Sequence, residues 1–206
     1  MKVLLLSMPD SFEHMASIVI RMPCAALTSL AGNIDPHHEV AVADLILVQA
    51  RVRATVEDLV RRLQPDVVGL SVMTFQRRTA VRIIHLLKSM KPDVRIVVGG
   101  YDPSLAPETY TSVPGVDFIV RGEGDITFRE LLRSIEAQSG YDHVTGLSYR
   151  DGNSFHHNPA RPVSSLDAES IRLPRRDARV LEGYRMLGRQ VDIVETSRGC
   201  TFDCSF

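Results

Sequence analysis

Pro65-Asp66-Val67-Val68-Gly69-Leu70-Ser71-Val72-Met73-Thr74 is an apolar run of strand length ending in small and hydroxyl residues, and the next apolar positions, Ala80, Ile83, Ile84 and Leu87, change to i, i+3, i+4, i+7 spacing. The first part predicts a strand buried on both faces, the second an amphipathic helix. The same change of period recurs on both sides. Lys2–Ser7 and Glu39–Ala43 upstream, and Val94–Val98 and Asp117–Val120 downstream, read as strands spaced about 25 to 35 residues apart. Pro23 ahead of Leu27, Leu30 and Ala31 marks a helix start, and Val56, Leu59, Val60 and Leu63, then Phe128, Leu131, Leu132 and Ile135, supply further helical faces. Strand alternating with helix through residue 139 implies right-handed crossovers. The fold class expected is α/β: a doubly wound, five-stranded parallel sheet, flavodoxin-like or Rossmann-like, in the order 2-1-3-4-5. Ligands of such sheets bind beyond the carboxyl ends of the strands, at the switch point.

Composition narrows the function. The 206 residues carry 24 Lys plus Arg against 25 Asp plus Glu, a formal charge of −1, so no global basic field draws in nucleic acid or an anionic membrane. Pro9-Asp10 cuts the first apolar run short of a secretory core, and no window approaches the roughly 18 apolar residues of a membrane span. Three cysteines, two of them at the extreme C-terminus, make no disulfide framework and suit a reducing, cytoplasmic setting.

After residue 140 the texture changes. Gly146 to His157 reads as a hairpin turning at Asp151-Gly152, and Pro159 to Arg189 as an aperiodic linker along a surface. Val191-Asp192-Ile193-Val194-Glu195-Thr196 then resumes strand character. The expected division is residues 1–140 as a binding domain, 141–190 as hairpin and linker, and 191–206 as the start of another domain.

The loops after the strands hold the candidate ligand contacts. Ser7-Met8-Pro9, Ser71-Val72-Met73-Thr74, Gly99-Gly100-Tyr101 and Gly122-Glu123-Gly124 are small or turn-forming, and glycine lets a flat ligand approach backbone N–H groups and helix N-termini. Taken singly, Gly99-Gly100 and Gly122 to Gly124 are equally well explained as turn formers, while a strand-end cap and turn is the lesser alternative for Ser71 and Thr74. No G-x-G-x-x-G follows the first strand and no Walker A sequence occurs. The acidic cluster of a receiver-type phosphorylation site reduces to Asp10.

Three ordered pieces carry a family resemblance: Pro65 to Ser71 with Thr74; Pro92 with Val97-Val98-Gly99-Gly100; and Val116 to Asp125 with Phe128 and Leu131-Leu132. In that order and spacing they resemble the N-terminal cobalamin (B12)-binding domain of B12-dependent radical S-adenosylmethionine (SAM) enzymes. Leu166-Asp167 and Leu173-Pro174-Arg175-Arg176-Asp177 are similar to that family's linker. The resemblance implies that the loops enclose the corrin and its nucleotide tail. Ser71 and Thr74 would hydrogen-bond the tail, Gly99 and Gly100 would make room for it, and Gly122, Glu123 and Gly124 would line the corrin edge. Ser7, Pro9, Val72, Met73 and Tyr101 complete the candidate set.

Glu195 to Phe206 resembles the start of the radical SAM cluster loop, C-x3-C-x2-C, with Cys200 and Cys204 as metal ligands and Phe206 at the aromatic position before a third cysteine. The resemblance implies a 4Fe–4S cluster and SAM in a full-length parent only, since two thiolates do not secure a cluster. It implies a parent enzyme in which a 5′-deoxyadenosyl radical abstracts hydrogen and methylcobalamin supplies a methyl group, or a ring is closed. The fragment itself would be inactive, with its partner the missing radical SAM barrel of the same polypeptide. Asp10 and His14 do not reproduce the Asp-x-His-x-x-Gly of histidine-ligating cobalamin domains, so base-off cobalamin without a histidine ligand is expected. His37-His38, His85 and His156-His157 read as solvated or capping groups, and Cys24 as a small core residue. The alternative is a stand-alone flavodoxin-like binding or sensor module for a flavin, a nucleotide or a partner protein.

Overall fold

A β-branched run with apolar residues at every position is stable only when both of its faces are covered. In the computed structural model, which describes residues 1–9, 20–163 and 170–198, this is what happens to the five predicted strands. They are β1 (Lys2–Ser7), β3 (Glu39–Asp44), β4 (Val67–Ser71), β5 (Arg95–Gly99) and β6 (Phe118–Val120). All pair in parallel, in the order β3-β1-β4-β5-β6, which is the expected 2-1-3-4-5. Alternate residues point to opposite faces. Leu4, Leu6, Val68, Leu70, Ile96 and Val98 pack on α2 (Val52–Leu63) and α3 (Arg77–Met90). Val3, Leu5, Val97 and Val120 pack on α1 (Ala25–Asn33) and α6 (Gly124–Glu136). Two short helices, α4 (Tyr101–Leu105) and α5 (Glu108–Thr111), lie between β5 and β6.

The sheet has seven strands rather than five. The hairpin, β7 (Leu147–Asp151) and β8 (Ser154–His157), joins it antiparallel along β6. β6 is only three residues long, and an unpaired edge there would leave Phe118 and Val120 open. Two arginines fix the added strand: Arg121 Nη2 donates to the carbonyls of Leu147 and Asn158, and Arg150 donates to those of Thr111, Val113 and Val116.

The linker is docked. Arg175 N donates to Thr28 O at 2.8 Å, Arg172 N to Asn33 Oδ1 at 2.9 Å and Val180 N to Val42 O at 2.9 Å. A Cβ on Gly32 would stand 1.9 Å from Leu173 O, so the linker crosses α1 where only glycine admits it. A small second sheet pairs β2 (Ile20–Arg21) with β9 (Arg185–Met186), and β9 with β10 (Arg189–Gln190). The strand expected over residues 191–196 does not form: after Val191 N, which donates to Tyr184 O at 3.4 Å, these residues make no ladder, and Ile193 O accepts from Arg176 Nη2 at 2.9 Å instead.

Candidate functional site

Register brings Asp44, Ser7, Ser71 and Gly99 into one row across the carboxyl ends of β3, β1, β4 and β5. β3 lies on one side of β1 and β4 to β6 on the other, so Ser7 and Ser71 flank the switch point. At one end of the row, Ser7 Oγ donates to Asp44 Oδ1, and the Cys24 amide donates to Asp44 Oδ2 at 3.0 Å. Burial pushes the Asp44 carboxyl above the usual carboxylate range, against the pull of these hydrogen bonds. Burial, with Asp44 alongside, pushes the Cys24 thiol up to about 11, although a hydrogen bond with Ser71 opposes it. Such a thiol is neutral at pH 7 and unreactive, in keeping with the packing role expected of it.

At the other end, the loops after β4 and β5 are zipped together. Val72 N donates to Gly99 O at 2.9 Å and Asp102 N to Val72 O at 3.1 Å. Gly100 has φ +98°, and a Cβ on it would lie 2.9 Å from both Val72 N and Val72 O. The space that Gly100 was expected to leave for a ligand is taken by the chain itself. Buried Asp102 accepts from Arg77 Nε at 2.7 Å, Arg77 Nη2 at 2.6 Å and Tyr110 Oη at 2.6 Å, with Thr74 as a further partner. The Arg77 fork holds its carboxyl below the usual range. Gln76 ties in the loop after β1, its Nε2 donating to Met8 O at 2.9 Å and its Oε1 accepting from Met73 N at 3.0 Å. Ser104 Oγ donates to Gly100 O at 2.7 Å and accepts from Gly122 N at 2.9 Å, which ties in the loop after β6.

The four loops of the sequence reading are therefore one hydrogen-bonded edge. Ser7, Pro9 and Val72 are buried in its floor; Ser71, Gly99, Gly100, Glu123 and Gly124 are half-buried; Met73, Thr74, Tyr101 and Gly122 are exposed. Cys200, Cys204, Asp10, His14 and Leu166-Asp167 lie outside the described residues. His37, His38 and Glu136 meet at the opposite, amino edge, where the Met1 amine contacts His38 Nδ1 at 3.1 Å. None of the described histidines lies in the row or its four loops. Sequence reasoning missed Asp44, Asp102, Gln76 and Ser104. The available signal was an acid closing, or just following, an apolar strand, as Asp44 closes β3 and Asp102 follows β5.

Residues 15–132, more than half of the chain, match the B12 binding domain. The chain belongs to the B12-binding domain family. An uncharacterized methyltransferase of Pyrococcus horikoshii is 28% identical over 207 residues, covering 100% of this chain and 45% of that protein. The cobalamin-dependent radical SAM methyltransferase TokK of Streptomyces tokunonensis is 32% identical over 149 residues, covering 70% of this chain and 22% of TokK. The anaerobic magnesium-protoporphyrin IX monomethyl ester cyclase of Rubrivivax gelatinosus is 29% identical over 212 residues, covering 96% of this chain and 37% of the cyclase. The chain thus spans less than half the length of these curated relatives. In fold, it superposes on the cobalamin-dependent SAM radical enzyme OxsB with a TM-score of 0.69 at 24% identity, over 85% of this chain and 24% of OxsB. The radical SAM methyltransferase TsrM of Kitasatospora setae gives 0.64 at 20% identity, over 86% of this chain and 31% of TsrM. This B12-binding domain is accordingly related to radical SAM methyltransferases and to a cyclase, as the resemblance in its sequence implied.

The carboxyl edge fits such a cofactor. A corrin has two broad, largely apolar faces, and Phe75, Tyr101 and Leu105 stand 65%, 69% and 76% exposed on the loops and short helix that follow β4 and β5. A Cβ on Gly122 would have nothing within 4 Å, which leaves the backbone there open to close approach.

Proposed function

We propose that this B12-binding domain holds cobalamin along the carboxyl edge of its sheet and serves a cytoplasmic radical SAM enzyme that transfers a methyl group or closes a ring. The observation that carries this reading is the row Asp44-Ser7-Ser71-Gly99 beneath four cross-linked loops and an exposed apolar rim. Bound cobalamin supplies a cobalt centre able to accept and release a methyl group. The chain's own groups bind and shield it: the Ser71 and Thr74 hydroxyls hydrogen-bond the nucleotide tail, Met73 and Tyr101 keep water from the corrin, and Gly122 to Gly124 line its edge. Cys200 and Cys204 supply two of the three thiolates of a 4Fe–4S cluster that the remainder of the polypeptide completes and to which SAM binds. Base-off cobalamin without a histidine ligand would follow from the sequence, where Asp10 and His14 do not reproduce Asp-x-His-x-x-Gly. A flavin or nucleotide module rests on the generic fold alone.

Absorption titration of the 206-residue chain with hydroxocobalamin tests the site. A shift of the corrin bands with saturable binding is expected. Gly99→Ala should retain it, because the added Cβ meets Val120 at an ordinary 3.5 Å, whereas Gly99→Leu should bind at least about tenfold more weakly. Absence of a shift with the wild-type chain, or equal binding by a folded Gly99→Leu, refutes the site. In the Co(II) complex, electron paramagnetic resonance is expected to lack a nitrogen triplet, and a triplet that vanishes in His14→Ala would establish a histidine ligand instead.

A further inference from the structure

Arg198, the last described residue, is held through its side chain, beyond the ties of Asp192 to Arg179 and of Ile193 O to Arg176 Nη2. Along Val191–Arg198 no ladder forms, and Val194 is 73% exposed. Yet the Arg198 guanidinium enters a buried polar pocket: Nη1 pairs with Asp125 Oδ2 and Nη2 donates to Ser29 Oγ at 2.8 Å. Ser29 Oγ donates in turn to Asp125 Oδ1 at 2.7 Å, and Asn33 Nδ2 donates to the same oxygen at 3.2 Å, so every oxygen of the carboxylate is used. Asp125 and Arg198 side chains are 6% and 15% exposed, and they stand 73 residues apart in sequence.

Both ends of this pair matter by position. Asp125 lies in the first turn of α6, immediately after Gly122-Glu123-Gly124, and Arg198 lies two residues ahead of Cys200 in the sequence. A guanidinium presents two parallel donors in a rigid fork, and here the fork spans a carboxylate and a hydroxyl from different helices, a task an ammonium cannot reproduce. We propose that Arg198 is a positioning residue that seats the entry to the cysteine loop on the corrin-lining loop through Asp125 and Ser29. This rests on the cobalamin and cluster reading above. The cofactor loop and the segment leading up to Arg198 are then tied together by a buried ion pair, and ordering of residues 122–124 by a bound corrin is transmitted to residues 191–198.

The experiment uses the 206-residue chain with and without hydroxocobalamin, compared among wild type, Asp125→Asn, Ser29→Ala and Arg198→Lys. Trypsin must take the Arg198 side chain into its own pocket to cut after it. Cleavage at Arg198 is expected to be at least about tenfold faster in Asp125→Asn and a few-fold faster in Ser29→Ala, with cleavage at exposed Arg189 and the circular dichroism unchanged. Hydroxocobalamin is expected to slow amide exchange over residues 191–198 about threefold or more in wild type and to do so much less in Arg198→Lys. Unchanged trypsin cleavage in both pocket variants overturns the tether. Faster cleavage with corrin-dependent protection intact in Arg198→Lys overturns the positioning role and leaves a structural tie. Absence of a corrin band shift with the wild-type chain is a separate readout, and it removes the cobalamin reading and the positioning role together.

Discussion

Asp44 and Asp102 stand on the same edge of the same sheet, each at or near the carboxyl end of a strand and each 2% exposed or less, yet they titrate in opposite directions. Asp102 has the Arg77 fork and a phenol, and its charge is stabilised. Asp44 has a hydroxyl and two backbone amides, those of Cys24 and Ile46, with Arg179 farther off, and burial outweighs them so that its charge is penalised. Depth alone therefore does not set the behaviour of a buried acid; the partner does. Around Asp102 the edge is a locked ionic frame joining the loops after β4 and β5. Around Asp44 it is a hydrogen-bonded floor beneath the switch point in which burial disfavours the charge.

The frame is where a substitution does most harm. Arg77→Leu leaves Asp102 buried with neutral donors only, and a loss of about 3 kcal/mol in unfolding free energy is expected. Urea denaturation measures it, and a loss below about 1 kcal/mol would show that Tyr110 and Thr74 suffice. Gly100→Ala comes next. At φ +98° and ψ −167° an L-residue is strained, and its Cβ would meet the Val72 backbone at 2.9 Å. A loss of about 2 kcal/mol is expected, together with weaker cobalamin binding because the two loops separate. Wild-type stability with impaired binding would instead make Gly100 a ligand contact.

Strand order was legible because buried parallel strands advertise themselves as unbroken apolar runs, and Val67 to Leu70 needs no partner to be recognised. The seventh and sixth strands of the sheet were recognised as a hairpin but not as its extension, since their attachment depends on Arg121 and Arg150 reaching backbone carbonyls far along the chain. Residues 191–196 show the converse: alternating Val191, Ile193 and a β-branched neighbour mimic a strand, but ladder formation is a property of two segments. Within the site, the glycines and hydroxyls were visible in sequence because loop chemistry is local. Asp44, Asp102 and Asp125 were not singled out for their roles, because what gives each its role is a partner that only the fold brings near.

The smallest expected effect discriminates best between the two acids. Asp44→Asn keeps the shape of the floor: its carbonyl accepts from the Cys24 amide while the Ser7 hydroxyl turns to accept from the new NH2. The raised folded-state pKa means that wild-type Asp44 costs stability progressively as the pH rises from the unfolded value of about 3.9 through the folded value, and costs nothing below both. The Asn variant is therefore expected to match or exceed wild type by up to about 1 kcal/mol at pH 7, an advantage that fades as the pH falls toward 4. Asp102→Asn should show the opposite sign. The lowered pKa of Asp102 contributes stability above about pH 3.9 that is lost as the pH falls through the folded value, so this variant is weakened by about 2 kcal/mol at pH 7 and converges on wild type in acid. Urea midpoints of the three proteins between about pH 2 and pH 8 make the comparison. Equal destabilisation by both variants at pH 7 would mean that Asp44 is held as a needed carboxylate, and that its partners outweigh the burial that disfavours its charge.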